Sequence, residues 1–377
     1  MKKGWEYKTL GEVGTFKRGG NFSKKDFIEN GFPCIHYGQI HMKFGIETFK
    51  HLSSVPAEMV KPDRCAQKGD LVIAATSEDD AGSCKCTAWM GDYEAYVGGH
   101  AAIYRHTMEP KYVSYYFMSP YFQKAKLEYT HGFKVVEINP KDIAKISIPI
   151  PPLSEQKEIV EYLDSSFAKI DKLKENAAKN LEEAKALFQS ALKDALEPKE
   201  GWEEKTLPDI SENLDSRRIP ITKGKRDSGK YPYYGASGIV DYVGDYIFDE
   251  DILLLSEDGA NLLARSTPIA FSVSGKVWVN NHAHILKFKD MCTQRFVEYF
   301  FASKDISEYV TGAAQPKLSQ KKMNIIPISI PSLSEQQSIV SFLDSLSEKL
   351  NTLQQNYSRI CNECDALKQA ILRQVFE

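Results

Sequence analysis

Two stretches of the chain carry apolar residues in steps of three and four. From Ser154 onward they fall at Val160, Leu163, Phe167, Ile170, Leu173, Ala177, Leu181, Ala184, Phe188, Ala191 and Ala195. From Ser334 onward they fall at Val340, Leu343, Leu346, Leu350, Leu353, Tyr357, Ile360, Cys364, Leu367, Ile371 and Val375. This spacing predicts two long helices with a coiled-coil seam. No proline stands between Pro152 and Pro198, or after Pro331. Ser154 and Ser334 are the expected N-caps, with Glu155 and Glu335 in the first turn. Ser334 with Gln337 fits a capping box, and Lys157 breaks that pattern in the first copy. Residues 154–196 would span about 64 Å at 1.5 Å per residue. One helix with so narrow an apolar seam is unstable alone, so the two are expected to pair. Antiparallel pairing would place the non-helical parts at opposite ends of the rod.

Elsewhere the pattern is short. GDLVIAAT, HAAIYRH, DILLLS, IAFSV and HILKF read as strands bounded by turn residues. PKYVSYYFMSPYFQKAKLEY and TQRFVEYFFASKDISEYV read as helices. The chain also repeats itself. GWEYKTL at 4–10 returns as GWEEKTL at 201–207, and LSEQKEIVEYLDS at 153–165 returns as LSEQQSIVSFLDS at 333–345. The first offset is 197 residues and the second 180, so the centre of the first copy is longer. The centres match only faintly, VGGHAAIYR at 97–105 with VNNHAHILK at 279–287. The expected fold class is therefore α+β: two mixed α/β domains at 1–152 and 198–332, followed by long helices at 153–197 and 333–377 that pair as an antiparallel coiled coil.

The 377 residues are 42% hydrophobic and 26% charged, the balance of a folded globular protein. No run of eighteen apolar residues suggests a membrane span, and no apolar stretch follows the first lysines as a secretory signal requires. Seven cysteines at irregular spacing give no disulfide framework, which points to a reducing cytoplasm. The net charge of −3 excludes a globally basic nucleic-acid binder but not local patches. Two such patches exist. Residues 1–25 hold seven Lys/Arg against two Glu, and residues 215–230 hold six against two Asp. Lys17, Arg18, Lys24 and Lys25 surround Gly19-Gly20, which would let backbone approach a partner closely. Arg217, Arg218, Lys223, Lys225 and Arg226 surround Gly224, with Tyr233 and Tyr234 beside them. Basic and planar groups together suit phosphate contact and base-edge reading, although a charge run is more often a solvated face.

Catalytic signatures are missing. The chain has no phosphate-loop motif, no G-x-S-x-G elbow and no G-x-G-x-x-G opening a helix. Asn139-Pro140 is followed by Lys141, so the adenine-methyltransferase tetrapeptide is absent too. Cys84/Cys86 and Cys361/Cys364 lack a second pair at zinc-finger spacing, and structural cysteine is the better reading. His282 and His284 would face one side of a strand, and His100 and His282 occupy matching repeat positions.

The paired GW-x-x-K-T-L openings, the paired I-P-x-P/LSEQ-x-x-IV-x-x-LD junctions and the two long helices resemble the specificity subunits of type I restriction–modification systems. The stretch YPYYGASGIVDYV followed by DILLLSEDGAN looks like a target recognition domain of that family. The resemblance covers the whole chain. It implies a non-catalytic subunit whose two domains each read half of a bipartite double-stranded DNA sequence, with the helices setting the spacing. It implies two methyltransferase subunits docked on the helices, for which Leu163, Ile170, Leu343 and Leu350 are the candidate contacts. Restriction subunits would be further partners. S-adenosylmethionine, ATP and magnesium would belong to the partners, with no cofactor or metal on this chain. The alternatives are a structural protein-binding adaptor and a stand-alone DNA methyltransferase or nuclease.

Overall fold

The computed structural model describes residues 4–132, 135–312 and 314–377. The chain forms two compact units, Met1–Ala177 with Ser358–Glu377, and Ala178–Tyr357. Each unit thus takes one α/β centre and a segment of both long helices.

In the first unit a five-stranded sheet runs in the order Gly14–Arg18, Ala101–His106, Leu71–Ala74, Cys86–Trp89, Glu47–Thr48. A four-stranded sheet runs Ser53–Val55, Phe32–Ile35, Ala95–Val97, Cys65–Ala66. Leu71–Ala74 is buried at every position, as an unbroken apolar run requires of a central strand. One face of the five-stranded sheet packs Leu71, Ile73 and Tyr104 against the helix Pro110–Met118 and against Val160, Leu163 and Phe167 of the first long helix. Leu372, Val375 and Phe376 of the second long helix complete this core. The helices are antiparallel here, with Asp171 bound to Lys368 at 2.5 Å and Lys174 to Asp365 at 2.9 Å.

The second unit repeats the plan. Its first sheet runs Ser211–Asn213, Ala283–Phe288, Ile252–Ser256, Ala270–Val273. Its second runs Gly238–Val243, Ser228–Gly235, Lys276–Val279, Phe248–Asp249. Leu253, Leu255, Leu286 and Phe296 pack against Ile339, Val340 and Leu343 of the second long helix and Leu192 and Leu196 of the first. Apart from the extra edge strand Glu47–Thr48 of the first unit, the centres that match faintly in sequence therefore share one strand order.

The repeated motifs are the joints of this plan. In the first unit Glu6–Thr9 pairs with Ser147–Ile150, and in the second Glu203–Lys205 pairs with Ile328–Ile330. The threonine of each K-T-L turns on an acid three residues later, Thr9 on Glu12 and Thr206 on Asp209. The glutamines of LSEQ, Gln156 and Gln336, each donate to the proline carbonyl five residues earlier at 2.9 Å. The aspartates of LD bind the domain helices. Asp164 takes Lys111 at 2.6 Å and the Tyr115 hydroxyl at 2.7 Å, and Asp344 takes Arg295 at 2.5 Å and the Tyr299 hydroxyl at 2.6 Å.

Two expectations about the helices are corrected. They begin at Leu153 and Leu333, so Ser154 and Ser334 lie inside the first turn and are not caps. The cap positions are Pro152 and Ser332, whose carbonyls accept the Gln156 and Gln336 N–H groups, and the Ser332 hydroxyl accepts from Glu335 at 3.4 Å. Leu173, Leu353 and Leu367 fall on the predicted seam but are exposed. A straight helix drifts about 20° per heptad from a 3.5 repeat, which carries some periodic positions out of contact.

Candidate nucleic-acid interface

In the first unit several strand ends meet at one edge. Gly14–Arg18 ends where the antiparallel Ala101–His106 begins, with Arg18 opposite Ala102. Leu71–Ala74 ends there, with Ala74 opposite Ala101. Phe32–Ile35 and the parallel Ala95–Val97 end there too, with Ile35 opposite Val97. Gly19 and Gly20 are required by this convergence. A Cβ on Gly19 would lie 2.1 Å from the Gly98 carbonyl and one on Gly20 1.8 Å from the Tyr96 hydroxyl. The close approach expected at this Gly-Gly is thus made within the chain itself, Gly19 to backbone and Gly20 to the Tyr96 ring.

Polar groups gather on this edge. Arg18 donates to the Gly99 carbonyl at 2.9 Å and to Glu137 at 2.6 Å. Glu137 lies on Val136–Glu137, which pairs with Thr76–Ser77. The Tyr37 ring lies 5.1 Å from His100 and 6.0 Å from His41, and His41 Nε2 is 3.0 Å from the Thr76 carbonyl. Burial, then the charges of Lys24 and His100, hold the His36 imidazole below its usual range.

The second unit builds the same edge on the same backbone bonds. Ala75 N–H donates to the His100 carbonyl and Glu257 N–H to the His282 carbonyl, both at 2.9 Å. Ile138 N–H donates to Ala75 at 3.0 Å and Leu318 N–H to Glu257 at 2.8 Å. The side chains differ. Glu257 accepts from Arg218 at 2.6 Å and pairs with Lys317 at 3.1 Å, while exposed His282 faces Asp258 at 2.9 Å. His284 is buried, with Nδ1 2.6 Å from Asp215 and Nε2 2.8 Å from the Leu318 carbonyl. Burial acts to raise both carboxyls. The His284 bond to Asp215, and the Arg218 and Lys317 bonds to Glu257, outweigh it and keep both pKa values lowered.

Among the described residues Asp215, Glu257 and His284 are the one group spaced to hold a metal ion. The donor set does not fit one. Arg218 already lies 2.6 Å from Glu257 and 3.4 Å from Asp215, and both His284 nitrogens face oxygen atoms of the chain. His282 precedes the strand Ala283–Phe288, so the two histidines do not share a strand face as expected. The cysteines are free, and burial pushes the Cys34 and Cys84 thiols up to about 12.

The basic positions named from sequence fall into three groups. Lys24 and Lys25 sit on the single turn Lys24–Asp26, and Lys223 and Lys225 on Lys223–Lys225. These turns occupy the same slot in the two strand orders, and all four lysines are exposed. Lys17 and Arg217 are exposed but paired, with Asp63 at 3.0 Å and Glu250 at 2.8 Å. Arg18 is committed to Glu137 and Gly99. Three assignments to DNA contact are corrected. Arg218 has a side chain only 15% exposed and is held by Glu257, Asp215 and the Ala283 carbonyl. Arg226 binds Asp241 and the Ile221 carbonyl and covers the Tyr233 ring. Tyr233 is 1% exposed, with its hydroxyl on the Ile221 backbone. Tyr234 is half-buried against Phe271. Lys2 and Lys3 of the first patch lie outside the described residues.

Three of the four helix positions named for partner contact are covered by the chain itself. Leu163, Ile170 and Leu343 are buried inside their own units, and Leu350 is half-buried. The exposed apolar residues are others, and they come in pairs 180 residues apart: Leu153 and Leu333, Tyr162 and Phe342, Leu173 and Leu353, Leu187 and Leu367. Sequence reasoning also passed over Glu137, Lys317, Thr76 and Asp258. A signal was present, since the 180 offset aligns His131-Gly132 with Thr311-Gly312.

A family model for the type I restriction modification DNA specificity domain matches residues 2–183 and 199–360. The chain is 36% identical over 143 residues to a protein of Haemophilus influenzae named as a type I restriction enzyme specificity subunit, a match covering 38% of this chain and 37% of that one. It is 22% identical to the StySPI specificity subunit of Salmonella potsdam, with 100% of this chain and 89% of the relative covered. A solved chain of a type I restriction–modification system superposes with a TM-score of 0.79 at 17% identity, covering 100% of this chain and 98% of that one. That superposition shows a shared fold.

Proposed function

Because the chain belongs to the type I restriction–modification DNA specificity family, we propose that each unit reads one half of a split double-stranded DNA target through its strand-end edge, that the long helices fix the spacing of the halves, and that two methyltransferase subunits dock on exposed helix faces. The chain is a specificity subunit. It recognises DNA sequence through two repeated domains, and catalysis lies in partner subunits. One observation carries the proposal. The two units have the same strand order and the same backbone bonds at this edge, yet different side chains on it. A pair of readers for two unlike half-sites needs that combination.

Lys24, Lys25, Lys223 and Lys225 supply phosphate contacts, which position a reader without carrying sequence information. The first unit exposes Tyr162, Leu173 and Leu367, and the second exposes the equivalent Phe342, Leu353 and Leu187. Exposed large apolar side chains are candidate protein contacts, and their duplication at equivalent positions supports two copies of one partner. S-adenosylmethionine is then held by the methyltransferases, and ATP and magnesium by any restriction subunits. No helix among the described residues is long and apolar enough to cross a membrane. A cytoplasmic site is part of this reading, because a DNA-modifying complex works where the DNA is.

The test is reconstitution with the methyltransferase subunits, followed by mapping of N6-methyladenine on genomic DNA. Two short half-sites around a fixed gap are expected only when the chain is added. An unchanged methylation pattern would overturn the reading. Tyr162→Glu with Leu173→Glu should leave one methyltransferase per chain by native mass spectrometry, and two still bound would sink the helix-face assignment.

A further inference from the structure

Glu137 and Lys317 occupy one position on the shared backbone. His131 and Glu137 exchange N–H···O bonds of 2.9 and 2.8 Å, and Thr311 and Lys317 exchange bonds of 2.9 and 2.8 Å. Glu137 is bridged to Thr76, and Lys317 to the equivalent Asp258. Gly132 and Gly312 follow the bridged residues with φ of +110° and +87°, a conformation that favours glycine. With the backbone held alike, the side chains are of opposite charge, and each is half-exposed, at 46% and 52%.

Each is also held in place from inside the domain. Arg18 binds Glu137 Oε1 at 2.6 Å, leaving Oε2 as an acceptor with no protein donor among the described residues. Glu257 binds Lys317 Nζ at 3.1 Å, leaving donor capacity on an ammonium that has three N–H groups. A side chain fixed on one side and open on the other is pre-organised for a directional contact, because little rotamer entropy remains to be lost.

We propose that this position determines specificity: Lys317 donates to the major-groove O6 and N7 acceptors of a guanine in the half-site read by the second unit, and Glu137 accepts from the N4 amino group of a cytosine in the half-site read by the first. These are the base edges that a lysine and a carboxylate match. The inference rests on the reading of the strand-end edges as the DNA-reading surfaces. The alternative role for both ion pairs is stapling a loop to its domain.

The experiment maps methylated sites made by the reconstituted complex carrying Lys317→Gln, Lys317→Arg, Glu137→Gln or no change, with melting of each purified chain as a fold control. For Lys317→Gln, discrimination at one guanine of one half-site should fall by about tenfold, the scale of a single base contact. The other half-site and the gap should be unchanged, and Lys317→Arg should retain the guanine. Glu137→Gln should relax one cytosine in the opposite half. If the wild-type chain directs a split motif and both glutamine variants keep it intact, the specificity role is wrong while the broader reading stands. A uniform loss of methylation with the motif preserved would likewise overturn the role, since a staple or a phosphate contact acts on all sequences alike. If the wild-type chain directs no motif, the broader reading fails first and the inference with it.

Discussion

Each unit draws part of its core from the far end of the other repeat's helix, and the pair Leu372 and Leu192 allows that dependence to be measured. The two leucines are equivalent by the 180-residue offset, and both are 0% exposed. Leu372 lies in the core with Leu71, Ile73 and Tyr104, and Leu192 in the core with Leu253, Leu255 and Leu286. Truncating a fully buried leucine to alanine costs roughly 2–5 kcal/mol, from lost transfer energy and the cavity left behind. Leu367→Ala and Leu187→Ala remove the same atoms from positions that are 49% and 71% exposed, where the cost should be about 0.5 kcal/mol or less. At ~3 kcal/mol the open population of a unit rises by about a hundredfold. Native-state hydrogen exchange reads this strand by strand. Leu372→Ala should speed exchange in Leu71–Ala74 and Ala101–His106, and Leu192→Ala in Ile252–Ser256 and Ala283–Phe288. If Leu372→Ala left Leu71–Ala74 as protected as in the wild type, the helix end would not be part of that core and the reasoning would be refuted.

Two further outcomes are expected. Replacing Lys24 and Lys25 with alanine removes two exposed cations, so the slope of log affinity against log salt should flatten by about 1.8 at roughly 0.9 per phosphate contact, with the recognised sequence unchanged; an unaltered slope in filter binding would place these lysines away from DNA. His106 gives a pH dependence: burial lowers its imidazole to about 4, outweighing the Asp70 charge and a backbone hydrogen bond at Met108, which both act to raise it. The unfolded chain, with a histidine near its ordinary ~6.5, binds a proton that the folded chain refuses. Stability of the first unit should therefore hold above that value and fall as pH drops from 6.5 towards 4, and His106→Phe should flatten urea-midpoint data over that window.

The long helices were legible because a 3.6 period repeated over a dozen turns outweighs local noise. Their contacts were less so. The period predicts a stripe but not its width, and Leu173 and Leu163 look alike in sequence while only Leu163 is covered. The caps were missed by two residues because Ser154 and Ser334 are good cap residues, whereas the carbonyls of Pro152 and Ser332 begin the hydrogen-bond ladder. Charge was legible as composition but not as availability. Arg218 stands in the same basic run as Lys223, yet Glu257, 39 residues away, removes one from the surface and nothing nearby in sequence announces it. Tyr233 and Tyr234 are neighbours, and strand alternation sends only the first fully inward.

The residues that carry the most specific chemistry were the least visible, and the repeat itself explains why. A backbone site shared by two domains is conspicuous in sequence only where its side chains agree, as at His100 and His282. A reading position must disagree if the half-sites disagree, so similarity searches pass over it. Glu137 and Lys317 are found only after the strand order and the bonds at Ala75 and Glu257 have fixed the correspondence. Their internal partners have changed with them: the arginine that holds Glu137 comes from the strand Gly14–Arg18, whereas the carboxylate that holds Lys317 comes from the loop after Ile252–Ser256. Exchanging one reading residue alone would therefore leave its old partner as an unmatched charge. A Glu137→Lys substitution should need Arg18 replaced as well before the first unit can present a donor at this position.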